Sequence, residues 1–295
     1  MEGNSLTVLW DGDVPGITGL DASISHNLLY FSVKEEDFLY QFDMTNMEEM
    51  ALIDLDRPGK LVTDWINGNV YVTAWANNIM VVNVCNFEKI LCVEILRSSV
   101  HRHISAIAID VINKFLFYST TLYVTLDVSS SDIHRVNLDG TGDVVLESAT
   151  RGEISGMTCD EERRILYHLD QHRNVISETN YDGNHKRDIF VNLTRPRGLR
   201  FFEDHLYFLT NGGFMSKCNL FGEKRMCRIF KVNSFSVNMF TLHQKSYHIP
   251  LKNLCEKSKC PDICVPSVLN WSCLCANGDV TVEGTGCNNS QVSSF

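Results

Sequence analysis

Six cysteines crowd between Cys255 and Cys287, and five others are scattered over the residues before them. Two chemistries compete for such a cluster. Zinc centres favour C-x2-C pairs and often recruit histidine; neither a C-x2-C pair nor a histidine occurs among these six. Disulfide formation is the better fit, and it requires an oxidising compartment. Three N-x-S/T triplets, at Asn192, Asn270 and Asn288, agree with a secreted glycoprotein.

Catalytic constellations are scarce. The chain has no G-x-S-x-G elbow, no H-E-x-x-H pair and no P-loop. Asp21, Asp64, Asp110 and Asp160 recur along it and invite a calcium-dependent hydrolase reading, with acids converging on a channel. Turn chemistry accounts for them more simply, because Asp opens hairpins by accepting nearby backbone N–H groups. No catalytic residue, metal ligand or cofactor is expected, and the chain is read as a non-enzyme. The ten histidines raise another possibility, a change of charge between neutral and endosomal pH, with His101, His103 and His168 as candidates.

The net charge of −10 argues against nucleic acid, which calls for a basic footprint. No run of about eighteen apolar residues is present to span a membrane. The stretch Met1–Trp10 has neither the basic start nor the apolar core of a signal peptide. The chain therefore reads as a piece of a longer protein, with any leader or anchor outside it.

The elements that must position these residues repeat. Five aromatic runs resemble one another: Leu29–Ser32, Val70–Thr73, Leu116–Ser119, Leu166–Leu169 and Leu206–Leu209. Their aromatic residues Tyr30, Tyr71, Phe117, Tyr167 and Tyr207 are 41, 46, 50 and 40 residues apart. Aromatic and β-branched residues suit a pleated, buried strand. Downstream of several runs stands the same turn: Asn137-Leu138-Asp139-Gly140, Asn180-Tyr181-Asp182-Gly183 and, more faintly, Asn219-Leu220-Phe221-Gly222. Asp-Gly is a strong hairpin signal, since Gly takes positive φ freely. Each unit reads as a four-stranded antiparallel sheet, and about forty residues per sheet is the period of a propeller blade. The turn would join the outer two strands. Leu6–Trp10 and Val232–Ile249 would build a sixth blade from both termini and remove free edges.

These words carry a resemblance. Leu166-Tyr167-His168-Leu169-Asp170, the Asn-Leu-Asp-Gly turn and Arg195-Pro196-Arg197-Gly198-Leu199 resemble the YWTD, or low-density-lipoprotein-receptor class B, six-bladed β-propeller. The tail Cys255-x4-Cys260-x3-Cys264-x8-Cys273-x-Cys275-x11-Cys287 is similar to an EGF module, which in the family packs against the propeller directly after the last blade. The layout is similar to that of cueball-type insect receptors. The resemblance implies an all-β fold: a propeller over 5–250, an EGF-like module over 251–288 and a tail over 289–295. It also implies pairing of Cys255 with Cys264, Cys260 with Cys273, and Cys275 with Cys287. The chain departs from the family's motif. Val33, Ala74, Thr120 and Thr210 stand where its acid would tie blades together, so other ties must replace those. The acids that calcium-binding EGF modules carry before their first cysteine are missing. Hairpin spacing adds Cys85 with Cys92 and Cys218 with Cys227, leaving Cys159 as a buried thiol.

Function on a propeller sits on end loops, because the strands are committed to packing. The third unit carries a seven-residue excess within Thr120–Ile133, and His101-Arg102-His103 enters the same unit. Arg195 and Arg197 enter the fifth. Leu122 and Tyr123 beside His101, Arg102, His103, Arg195 and Arg197 form the expected top-face docking site, as aromatic residues and Arg are favoured anchors. The competing reading of the excess is a longer hairpin packing on itself. The expected role is an extracellular, cell-surface module of a receptor-like or matrix glycoprotein that binds a protein ligand. The alternative is a rigid spacer or intramolecular partner for neighbouring modules.

Overall fold

The computed structural model describes residues 16–231, 252–282 and 287, apart from 24–25, 47, 126–127, 211–212, 222–225 and 269. It is all-β. Five four-stranded antiparallel sheets follow one another, each in simple meander order. The first contains β1 (Ile17–Ser23), β2 (Leu28–Val33), β3 (Phe38–Asp43) and β4 (Glu48–Asp54). The second contains β5 (Leu61–Asp64), β6 (Asn69–Ala76), β7 (Ile79–Asn86) and β8 (Leu91–Arg97). The third contains β9 (Arg102–Asp110), β10 (Phe115–Thr125), β11 (Val128–Asn137) and β12 (Val144–Arg151). The fourth contains β13 (Ile154–Asp160), β14 (Ile165–Asp170), β15 (Val175–Asn180) and β16 (Arg187–Phe190). The fifth contains β17 (Arg197–Phe202), β18 (His205–Thr210), β19 (Phe214–Asn219) and β20 (Cys227–Lys231). These are successive blades of a propeller whose first strands line a channel. The segments expected to form a sixth blade, Leu6–Trp10 and Val232–Ile249, lie outside the described residues.

The aromatic runs are the second strands, and their rings seal the joints between blades. Tyr71 packs with Ile104 and Leu116 of the next blade, and Tyr167 with Leu199. Tyr71, Phe117 and Tyr167 are all but inaccessible to solvent. Burying a ring of this size contributes about 2 kcal/mol or more.

The repeated turn joins third and fourth strands, and its glycine has two reasons to be there. Gly140 and Gly183 adopt φ of +83° and +79°. A Cβ on Gly140 would lie 2.6 Å from the Ile95 carbonyl oxygen of the preceding blade, and one on Gly183 would lie 2.5 Å from that of Leu146. The turn is thus pressed against the outer strand of its neighbour.

Hydroxyls take over the ties that the motif's acid would make. Ser32 Oγ donates to the Gly59 carbonyl at 2.7 Å, and Ser119 Oγ to that of Ile154 at 3.3 Å. Ser131 Oγ reaches Gly152 O at 2.7 Å. The recurring aspartates divide into two kinds. Asp64, Asp110 and Asp160 accept the backbone N–H of Asn67, Asn113 and Arg163 in their own turns. Asp21 instead accepts the N–H and hydroxyl of Thr63 at 2.9 and 2.7 Å, linking the first blade to the second.

A three-stranded sheet follows, with β21 (Ile263–Pro266), β22 (Trp271–Leu274) and β23 (Val280–Val282). Disulfides join Cys255 to Cys264, Cys260 to Cys273 and Cys275 to Cys287. Two more, Cys85–Cys92 and Cys218–Cys227, cross between third and fourth strands of their blades. Cys159 is a free thiol, and burial pushes its pKa up. The C-terminal unit does not hang free. Ile263, Val265 and Leu274 share one apolar cluster with Tyr71, Val84, Leu116 and Leu138 of the second and third blades. Ser272 Oγ donates to Asp139 at 2.9 Å, and Asn69 to the Cys264 carbonyl at 2.7 Å.

Candidate functional site

The top end, where chain enters each blade and second strands turn into third, carries the expected docking residues. The excess in the third blade is not a loop. Thr120, Thr121, Leu122 and Tyr123 pair with Asp132, Ser131, Ser130 and Ser129, so β10 and β11 simply continue as a long hairpin. Four of the six residues in Thr120–Thr125 are β-branched and one is aromatic, a composition that suits a strand and that a count of surplus residues overlooks.

This ladder redistributes the predicted residues. Arg102 lies beside the hairpin within β9, pairs with Asp132 at 2.7 Å and donates to Thr120 Oγ1 at 3.3 Å. It holds the hairpin rather than offering a free cation. Leu122 is half-buried opposite Arg102. His103 lies edge-on between Trp75 and Tyr123, with ring centroids 5.5 and 5.4 Å away. Arg57 lies over Trp75 at 4.7 Å, within cation–π range. The result is a row, Arg57–Trp75–His103–Tyr123, that crosses from the second blade to the third. Tyr123 is 48% exposed, and burial of its remainder, with Glu153 close by, raises its phenol to about 12. His101 is exposed and sits in the left-handed region at φ 72°. Arg195 and Arg197 are also exposed, at the entrance to the fifth blade.

Beside this row opens the channel mouth, a cavity of about 240 Å³ lined in part by Lys60, Gln171, Arg197 and Arg200. Burial lowers the Lys60 pKa, with Glu153 opposing and Arg200 reinforcing that shift. A mouth with three cations repels a divalent metal and favours an anionic group. Lys60, Gln171 and Arg200 escape the sequence reading, yet the repeat holds a signal. Gly19 and Ala106 pair with Ser32 and Ser119, and Gly156 pairs with Leu169 at the same step of the second strand. Lys60, whose carbonyl accepts from Thr73 N, fills that small-residue column with a cation.

At the opposite end Asp110 is bound by Asn113 and by Tyr181, whose hydroxyl donates to it at 2.6 Å. Burial raises Asp64 to about 6 and Glu161 to about 8. The acids are engaged with turns and neighbouring blades, which is a structural use of them.

His168 does not serve as the endosomal sensor that its type suggests. It is buried in the joint between third and fourth blades, with Nε2 3.5 Å from Glu147, and Glu147 in turn pairs with Lys186. Burial holds its pKa down to about 4, so it stays neutral at both neutral and endosomal pH. The unfolded chain, at about 6.5, takes the proton first. Stability is therefore complete above about 6.5 and declines as pH falls towards 4. Urea unfolding should show His168→Phe losing about 2 kcal/mol less than the parent between pH 7 and pH 5. Equal losses would refute this account. Of the glycosylation candidates, Asn192 is exposed and Asn270 half-buried, while Asn288 lies outside the described residues.

No family model matches the chain. Among curated proteins, the vitellogenin receptor of Solenopsis invicta is 27% identical over 274 residues, covering 92% of this chain and 15% of that receptor. Low-density lipoprotein receptor-related protein 4 of Homo sapiens is 28% identical over 123 residues, 40% of this chain and 6% of its own length. Among solved structures, a chain of a nidogen/laminin complex superposes with a TM-score of 0.61 at 18% identity, covering 73% of this chain and 80% of that one. A regucalcin from Agrobacterium tumefaciens gives 0.62 at 9%, with 79% of each chain covered, a likeness of fold alone.

Fold and relatives agree on a β-propeller similar to those of the low-density-lipoprotein-receptor class B type. Within it, insect vitellogenin receptors align with nearly the whole chain; that of Drosophila melanogaster, Yl, is 27% identical over 96% of it. The chain spans 14% of Yl.

Proposed function

We propose that this chain is an extracellular, non-enzymatic protein-binding module of a receptor-like glycoprotein, and that it docks its ligand on the top end. The observation that carries this reading is the partly exposed aromatic row beside a cationic channel mouth, in a chain whose relatives are receptors. Tyr123, His101, Arg195 and Arg197 supply the accessible contacts, and Arg102 keeps the hairpin in place. Aromatic anchors flanked by Arg are the usual composition of a binding hot spot. The basic mouth supports a carboxylate-bearing ligand and speaks against a calcium-dependent hydrolase.

Vitellogenin is the natural first ligand to offer, because two relatives are named as its receptors. The oxidised protein is immobilised and vitellogenin passed over it at pH 7.4 and 5.5. The expected result is saturable binding at neutral pH, weakened at least about tenfold in a Tyr123→Ala, Arg197→Ala variant that still melts like the parent. Binding untouched by those changes would overturn the top-face assignment. The spacer reading has one observation in its favour, the C-terminal unit fused into the core of two blades. It becomes the better reading if no vitellogenin binds.

A further inference from the structure

A second surface lies at the opposite end. Between the third blade, the fourth blade and the C-terminal unit runs a groove of about 520 Å³. Lys114, Arg135 and Arg164 line it, with Asp182 as the acid among its lining residues. Arg163 also borders it, but is drawn to Asp160 and Asp204, at 2.9 Å from each. Such a concentration of cations stands out on a chain of net charge −10.

The backbone makes the groove more telling. The turn between first and second strands places a residue in the left-handed region in each blade, and two, Glu203 and Asp204, in the fifth. Asn27, Gly68 and Asp204 occupy that place at φ 55°, 76° and 61°, as types that tolerate it. Lys114 and Arg164 occupy it in the third and fourth blades, at φ 64° and 54°. Long cations are poor choices for such a backbone. The two turns that carry them both border the groove.

All three side chains are held in place. Lys114 Nζ donates to the Ser267 carbonyl at 2.7 Å, and Arg164 Nε to Asn113 Oδ1 at 2.9 Å. Arg135 donates to the Tyr181 carbonyl at 2.6 Å, pairs with Asp182 at 3.2 Å and lies over the Phe115 ring at 4.6 Å. Lys offers three donors and Arg five, so each keeps N–H groups beyond these bonds. The groove also has an apolar ledge: Ile112 is 41% exposed and Val268 67%.

We propose that this groove binds an acidic peptide segment, with carboxylates on Lys114, Arg135 and Arg164 and an adjacent aliphatic side chain on Ile112 and Val268. A dense polyanion such as a sulfated glycan fits less well. It has no aliphatic group to lie on the ledge of Ile112 and Val268.

The test uses a fluorescein-labelled, capped peptide of alternating glutamate and leucine, its glutamine analogue and a heparin hexasaccharide. Anisotropy should show saturable binding of the glutamate peptide, weakened about tenfold in Arg164→Asn and in Lys114→Asn, and none of the glutamine analogue. Asn suits the left-handed backbone, so Arg164→Asn should melt no earlier than the parent. Top-face substitutions should leave this binding unchanged. Absence of saturable binding up to about 1 mM peptide, binding by both variants as tight as that of the parent, or tighter binding of heparin through the same residues would overturn the proposal.

Discussion

Gly183→Ala should lower the melting temperature by on the order of 10 °C, whereas Gly68→Ala should lower it by only a few degrees. Both residues adopt positive φ, +79° and +76°. An alanine at either loses about 1 kcal/mol for the backbone alone. Nothing lies within 4 Å of the Cβ position at Gly68, but at Gly183 the Leu146 carbonyl oxygen is 2.5 Å away. That oxygen belongs to β12, which pairs along β11 and cannot retreat without disturbing its own blade. Overpacking of this kind adds about 1–3 kcal/mol. Differential scanning calorimetry of the two variants isolates the contact between blades. If both fall by the same amount, the turn is not pressed against its neighbour as described.

Leu274→Ala should destabilise the whole molecule. Leu274 is fully buried in the cluster it shares with two blades, and truncating such a leucine removes about 2–5 kcal/mol. Because the cluster is common property, the loss should appear as an earlier melt of the propeller. Val280→Ala, at a residue 43% exposed on the adjacent strand, should stay within about 0.5 kcal/mol of the parent. A Leu274→Ala protein whose propeller melts unchanged, while protease trims the C-terminal unit, would mean that the two parts are energetically separate.

Much of the architecture is legible in the sequence because packing repeats with the blade. Tyr71, Phe117 and Tyr167 announce second strands by type and spacing, and the Asp-Gly turns announce the outer hairpins. The site is less legible because it depends on register. Trp75 sits at the end of β6 and meets His103 only once the third blade's long hairpin is in place. Surplus residues around Leu122 suggest a loop by count, although their β-branched composition suits a strand. Lys60 looks like any surface lysine until the first strands are aligned on their partners. The lower groove joins residues far apart in the chain, Lys114 and Ser267 among them, which no local pattern connects.

The long hairpin of the third blade has a geometric consequence. A ring of near-identical blades offers a partner several rotational settings that differ little in energy. An extension on one blade acts as a key, and a partner that contacts it has a single azimuth. The C-terminal unit is seated beneath the second and third blades, in the same sector. Whatever engages the hairpin is therefore aligned with the seat of the C-terminal unit. The molecule converts a nearly symmetric disc into a connector of fixed compass bearing.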